Sequence, residues 1–219
     1  MLTGLWPSNS DDREYALSFD RERDRRLLII PALFDEGNKL RRFTVETMRG
    51  LDAAGIDTFL PDLPGTNESL ARHGAQDLAT WRSAVDQAAR HFHANQVLAI
   101  RGGALVAPTH VRGAHYAATT GMKTLRALLR AHVMQRREAG AHVTIDNALT
   151  TGRTEGLSMV GYDCSARLIR DLEAARPPEP ELLVEQSQLQ GPGLWLRTEP
   201  SEDAQQSLLL ARIISGWRP

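Results

Sequence analysis

The sequence predicts an α/β fold, with a mostly parallel sheet and helices on both faces. Short apolar runs alternate with amphipathic helical stretches from Leu27 to Ile100, the pattern of strands joined by right-handed helical crossovers. The chain of 219 residues is long enough for one substantial core and short for two. Its composition, 42% hydrophobic and 24% charged, is that of an ordinary globular chain. One domain over residues 1–219 is therefore expected.

The elements follow in order. Tyr15–Phe19 alternates and predicts an early strand, followed by a charged turn. "LLIIP" from Leu27 is wholly apolar, as expected of a strand buried on both faces. From Asn38, the residues Leu40, Phe43, Thr47 and Leu51 recur at helical spacing, and Gly55 ends that helix. Ile56 opens a second strand that ends in a Pro/Gly turn. Leu78, Trp81, Val85, Ala88 and Phe92 mark one face of the next helix. Gln96–Ile100 is a third strand, and Val111–Ala118 reads as another. Met122–Glu138 is a helix stopped by Gly140, Glu155–Tyr162 reads as a strand, and Ser165–Ala175 as a helix. Glu181–Gln186 and Gly193–Thr198 are read as the last strands. The closing helix starts with Ser201 as N-cap and Glu202 and Asp203 in its first turn.

Bulk properties exclude several classes. A net charge of -1 draws the chain neither to nucleic acid nor to a membrane as a whole. The start lacks a signal-peptide pattern, and no run approaches the ~20 apolar residues of a bilayer span. The single cysteine, Cys164, has no disulfide or metal-ligand partner spacing around it. No metal or cofactor is expected. A cytoplasmic location is expected, and a homo-oligomer is left open.

In an open α/β sheet, ligands bind at the carboxyl ends of the strands. That rule points to the segments after Ile30, Leu60 and Ile100. After Ile30 come Glu36, Asn38, Lys39, Arg41 and Arg42 at a helix start, where free N–H groups attract anions. The plainer reading has Asn38 capping the helix amid solvated charges. After Leu60, Asp62 reads as a loop holder that accepts backbone N–H bonds.

After Ile100 the frame is Ala99-Ile100-Arg101-Gly102-Gly103. It has the shape of the G-x-S-x-G elbow, with arginine where the nucleophilic serine stands. A guanidinium stays protonated and cannot attack. It can bind a carboxylate or phosphate with its planar fork, or pair with a buried acid and stiffen the turn. Glu36 is a candidate for that acid.

No histidine follows residue 142, so Ser158, Cys164 and Ser165 lack the downstream base that such hydrolases use. His115, in a strand, is more often a satisfied core histidine than a base, and Cys164 reads as a small buried hydrophobe. Lys123, Arg126, Arg130 and Arg137 form a basic stripe on one helix. It reads as a solvated face, a wall over the sheet end, or a contact for an acidic partner. Its apolar face is too weak for a helix lying within a membrane.

These pieces, in this order, resemble the α/β-hydrolase superfamily, reduced in size. More narrowly they resemble the type 2 exosortase A system-associated hydrolases. The resemblance rests on Pro31, Phe34, Glu36, Asn38, Arg41 and Arg42 in the first loop. It continues through Gly55, Pro61, Asp62 and Leu63, and through Arg101, Gly103, Ala104 and Leu105 at the elbow. Further on it includes Gly121, Leu125, Leu129, Arg130, Gly161 and Tyr162, and loosely Trp195, Thr198 and Glu199.

The resemblance implies a role near bacterial protein-sorting and exopolysaccharide machinery, and that arginine belongs at this elbow. Fold alone does not fix a reaction. The expectation is a protein without a working Ser-His-Asp triad that binds a small anionic or acyl-type ligand, or a partner. Glu36, Asn38, Arg42, Arg101, Gly102 and His115 are the candidate contacts. The alternatives are an esterase-like hydrolase with a non-standard nucleophile and a pure interaction module.

Overall fold

A computed structural model describes residues 1–8 and 13–218; residues 9–12, within the amino-terminal stretch, and residue 219 lie outside the description. The strands are β1 (Leu2–Pro7), β2 (Arg13–Phe19), β3 (Arg26–Ile30), β4 (Asp57–Pro61), β5 (Gln96–Ile100), β6 (Arg112–Tyr116), β7 (Leu157–Met159), β8 (Tyr162–Cys164) and β9 (Leu182–Val184). Seven of them form one sheet in the order β1-β2-β4-β3-β5-β6-β9, while β7 and β8 pair separately. The pairs β1–β2 and β2–β4 are antiparallel, and all pairs from β4 to β9 are parallel.

The helices are α1 (Asp35–Lys39), α2 (Arg41–Ala53), α3 (Leu78–His91), α4 (Gly121–Glu138), α5 (Ile145–Glu155), α6 (Ala166–Ala174) and α7 (Ala204–Gly216). Side-chain alternation divides the core in two. Leu28, Ile30, Phe59, Val97 and Ala99 pack against α3, α4 and α6. Leu27, Ile29, Leu60, Leu98 and Ile100 pack against α2 and α7. A strand buried on both faces has few polar positions to spare, which is why β3 and β5 read as nearly continuous apolar runs.

Charges collect at the amino ends of the strands. Fully buried Asp57 accepts from the Arg23 amide at 2.8 Å and from the guanidiniums of Arg23 and Arg26 at 3.1 and 3.3 Å. Arg25 donates to the carbonyls of Ser215 and Trp217, both at 2.9 Å. It thereby satisfies carbonyls at the end of α7 that the helix itself cannot bond.

Several expectations are corrected. The helix foreseen from Asn38 is two helices, broken at Leu40, whose φ and ψ are -96° and 0°. Asn38 lies inside the first and caps neither. Ser201 is not the last N-cap; Asp203 is, accepting from the amides of Gln205 and Gln206. Gly193–Thr198 is no strand, and Leu194–Leu196 form a 3₁₀ turn. The single strand expected over Glu155–Tyr162 is instead the β7–β8 hairpin, apart from the main sheet. β1 and α5 were not foreseen. The elbow is followed by 3₁₀ turns over Arg101–Val106 rather than an α-helix. Only residues 101–111 separate β5 from β6, too few for the usual helical crossover, and Pro108 opposes one.

Close packing fixes the elbow. A Cβ on Gly103 would lie 2.3 Å from the Pro31 carbonyl oxygen and 2.8 Å from that of Ile30. Gly103→Ala is therefore expected to lower unfolding free energy by about 2 kcal/mol in urea titration. Gly4→Ala, which meets nothing within 4 Å, should change it by less than about 0.5 kcal/mol.

His115 is 2% exposed. Its strand neighbours Ala114 and Tyr116 face α2 and α7, so alternation turns its ring to the other side. Its Nδ1 has no hydrogen-bond partner among the described residues, and burial lowers its pKa to about 4. The folded chain thus keeps the ring neutral where the unfolded chain, near 6.5, takes up a proton. Stability from this group is complete above pH ~6.5 and is lost as pH falls towards ~4, by up to about 3 kcal/mol. Denaturation midpoints should fall less steeply over that range in His115→Leu than in the unaltered protein.

Candidate functional site

The site forms where the carboxyl ends of β3, β5 and β6 meet. β5 ends at Ile100, and the chain turns sharply at Arg101, whose φ is 52°. This left-handed conformation is unfavourable for a side-chain-bearing residue. It is held because Gly103 lets the turn lie directly on the backbone leaving β3.

The Arg101 side chain is engaged on every side. Its Nε and Nη2 donate to the two carboxylate oxygens of Glu36 on α1, at 3.0 and 2.9 Å. Its Nη1 donates to the Ala117 carbonyl just past β6, at 2.8 Å. Its guanidinium carbon stands 4.0 Å from the centre of the Trp195 ring, within cation–π range. The two side chains are only 15% and 24% exposed, so the paired charges are weakly screened.

A hydrogen-bonded chain continues from the sheet end to α7. The Tyr116 hydroxyl donates to Gln186 Oε1. Gln186 Nε2 donates to Gln206 Oε1 at 2.9 Å, and Gln206 Nε2 to Asp203 Oδ2 at 3.0 Å. Burial raises the Tyr116 pKa, so the phenol keeps its proton.

Beside the Arg101–Glu36 pair is a cavity of about 310 Å³, lined by Leu33, Phe34, Glu36, Leu128, Val160 and Trp195 among others. Lys39 is at its rim, bridged to Asp35 at 2.7 Å. Eight described non-glycine residues have positive φ, and four surround this site: Phe34 at 57°, Arg101 at 52°, Ala117 at 46° and Val160 at 45°. Such strain costs of order 1–3 kcal/mol per residue and collects at ligand sites. A β-branched valine there is especially unfavourable.

Of the residues foreseen from sequence, the structure joins Glu36, Arg101 and Gly102. Asn38 is exposed, and Arg42 pairs with Glu202. His115 points into the core on the face of α3, α4 and α6. Asp62 was read as a loop holder that accepts backbone N–H bonds; it is buried, and its carboxylate accepts from Arg41 at 2.7 Å and Asn67 at 2.8 Å instead. Trp195 and the Ala117 carbonyl were missed, while α4 does form a wall over the sheet end, one of the readings the sequence allowed, through Thr124, Ala127, Leu128 and Ala131 rather than through its basic stripe. Trp195 lay in plain view within the resemblance but was assigned to a strand.

Potential nucleophiles are engaged otherwise. The Cys164 thiol is buried and pushed up to about 12. Ser165 Oγ accepts from the Leu168 amide at 3.1 Å as the cap of α6. His73 does reach the neighbourhood, its ring centre 5.8 Å from that of Phe34; its Nδ1 donates to the Asp163 carbonyl at 2.7 Å, and its buried Nε2 has no hydrogen-bond partner among the described residues. Among the described residues, no histidine bonds the side chain of Ser158, Cys164 or Ser165.

No protein family and no curated protein sequence matches the chain. Solved structures do. One is a candidate hydrolase from Agrobacterium vitis S4, at 12% identity and a TM-score of 0.51, covering 79% of this chain and 71% of that one. Another is mouse alpha/beta hydrolase domain-containing protein 10, also at 12% identity and a TM-score of 0.51, covering 79% and 70%. At this identity the likeness concerns architecture alone. The strand order, the elbow after β5 and these similarities together establish that the chain has the α/β-hydrolase fold.

Proposed function

We propose that this is a binding protein on an α/β-hydrolase scaffold, without Ser-His-acid catalysis, that takes a small acyl-type ligand into the cavity beside Arg101. One observation carries the reading: the residue at the nucleophile's position is committed to Glu36, Ala117 and Trp195. A guanidinium so engaged neither attacks a carbonyl nor seeks an outside anion. Of the ligand classes expected, the acyl type fits best, because the cavity beside the pair has walls from Leu33, Phe34, Leu128, Val160 and Trp195. Apolar walls with a few polar groups at one end are the usual form of a small-molecule site. The sequence resemblance supports a place for this protein beside exosortase and exopolysaccharide systems.

Hydrolysis of short-chain nitrophenyl esters should stay at the buffer rate, and Cys164→Ala should not change it. Arg101→Ser should also leave it there. A rate well above buffer in the unaltered protein would overturn the reading. A fluorescent medium-chain acyl probe should bind and quench Trp195. Ala131→Trp, which fills the cavity, should weaken that binding at least about tenfold.

The lock itself is testable by denaturation. Glu36→Gln should cost about 2 kcal/mol, because Arg101 loses a charged partner in a partly buried place. Joint Glu36→Leu and Arg101→Met should recover part of that loss, since two apolar groups leave no stranded charge.

A further inference from the structure

The basic stripe of α4 is not used by the cavity reading, yet the same helix forms one wall of the cavity. We propose that this helix docks the protein electrostatically on an anionic lipid surface, from which the cavity receives an acyl chain. The proposal rests on the acyl-binding reading above.

The net charge of -1 conceals an uneven distribution. α4 carries Lys123, Arg126, Arg130, Arg136 and Arg137 against a single acid, Glu138. All five cations are exposed, and none forms an ion pair among the described residues. Several arginines elsewhere are paired, as Arg23, Arg26, Arg41, Arg101, Arg112 and Arg153 are. Unpaired cations along one ridge attract a surface of opposite charge.

The layout of the ridge favours a lipid surface over an acidic protein. Leu125, Leu128 and Leu129 are buried in the core, so the cations at 123, 126, 130 and 137 face outward. Between this ridge and the cavity stand Ala127 and Ala131, both exposed and both lining the cavity. Met134, 66% exposed, lies on the same side. Ala127 and Ala131 at that border put no bulky side chain in the way of a passage from the ridge into the cavity. A folded acidic partner would need no such passage, whereas an acyl chain leaving a bilayer would. Docking here depends on charge and not on insertion, so the weak apolar face of α4 is no obstacle.

The test is co-sedimentation of the full chain with phosphatidylglycerol vesicles and with phosphatidylcholine vesicles. Binding is expected to the first and not to the second, and to weaken steeply as salt is raised. Combined Arg126→Glu, Arg130→Glu and Arg137→Glu should cut vesicle binding at least about tenfold. Binding of a soluble acyl probe by the same variant should be unchanged, which also shows that it is folded. The milder glutamine replacements should give an intermediate loss.

Equal binding to both vesicle types, or binding unmoved by charge reversal, would overturn the proposal. So would capture by polyglutamate with no capture by vesicles, which would mark an acidic protein as the partner. If vesicles fail and the soluble probe still binds, only the docking proposal falls. If the probe fails as well, the cavity reading falls with it.

Discussion

The site is organised by one guanidinium. Arg101 joins four segments that are distant in sequence: the elbow after β5, α1 through Glu36, the end of β6 through Ala117, and the turn that carries Trp195. Each contact uses a different property of the side chain: the planar fork, a further N–H, and the face of a delocalised cation. Removing its carboxylate partner strands a charge in a place that water reaches poorly. The charge is thus neutralised internally, and the adjoining cavity is left with largely apolar walls.

The elbow combines the backbone shape of a nucleophile's turn with an arginine. Positive φ at Arg101 and the absence of a side chain at Gly103 are what a nucleophile's turn requires. In this protein the same turn aims a guanidinium at Glu36. Strain at Phe34, Ala117 and Val160 surrounds it, and it is sustained because two packed cores over-determine the backbone. At the opposite end of the sheet, Asp57 with Arg23 and Arg26, and Arg25 at the end of α7, tie down the amino ends of the strands. The rigid sheet between these charged ends places the cavity wall of α4 against the loop after β3.

Much of the fold was legible. β3 and β5 were readable because a strand buried on both faces is largely apolar; β4 and β6 were read as strands although they carry Asp57 and Thr58, and Arg112 and His115. α3 and α4 were readable because one face of each meets the core. The break at Leu40 was not, since Leu40, Phe43 and Thr47 keep helical spacing across it. Local spacing also gave no warning that Gly193–Thr198 would turn rather than pair. The β7–β8 hairpin gave too short a pattern to separate from one strand.

The sequence by itself determined the α/β class, the sharp glycine turn, an arginine rather than a serine at its tip and the absence of any histidine after residue 142. These follow from residue identity, order and local periodicity. Tertiary structure alone decided which partner Arg101 takes, because a carboxylate and an outside anion are equivalent to a guanidinium until geometry brings one within 3.0 Å. It also decided that Trp195 forms the wall, that His115 turns away from the site, and that Asn38 and Arg42 stay outside it. Those outcomes depend on contacts between segments far apart in the chain, which composition and spacing do not encode.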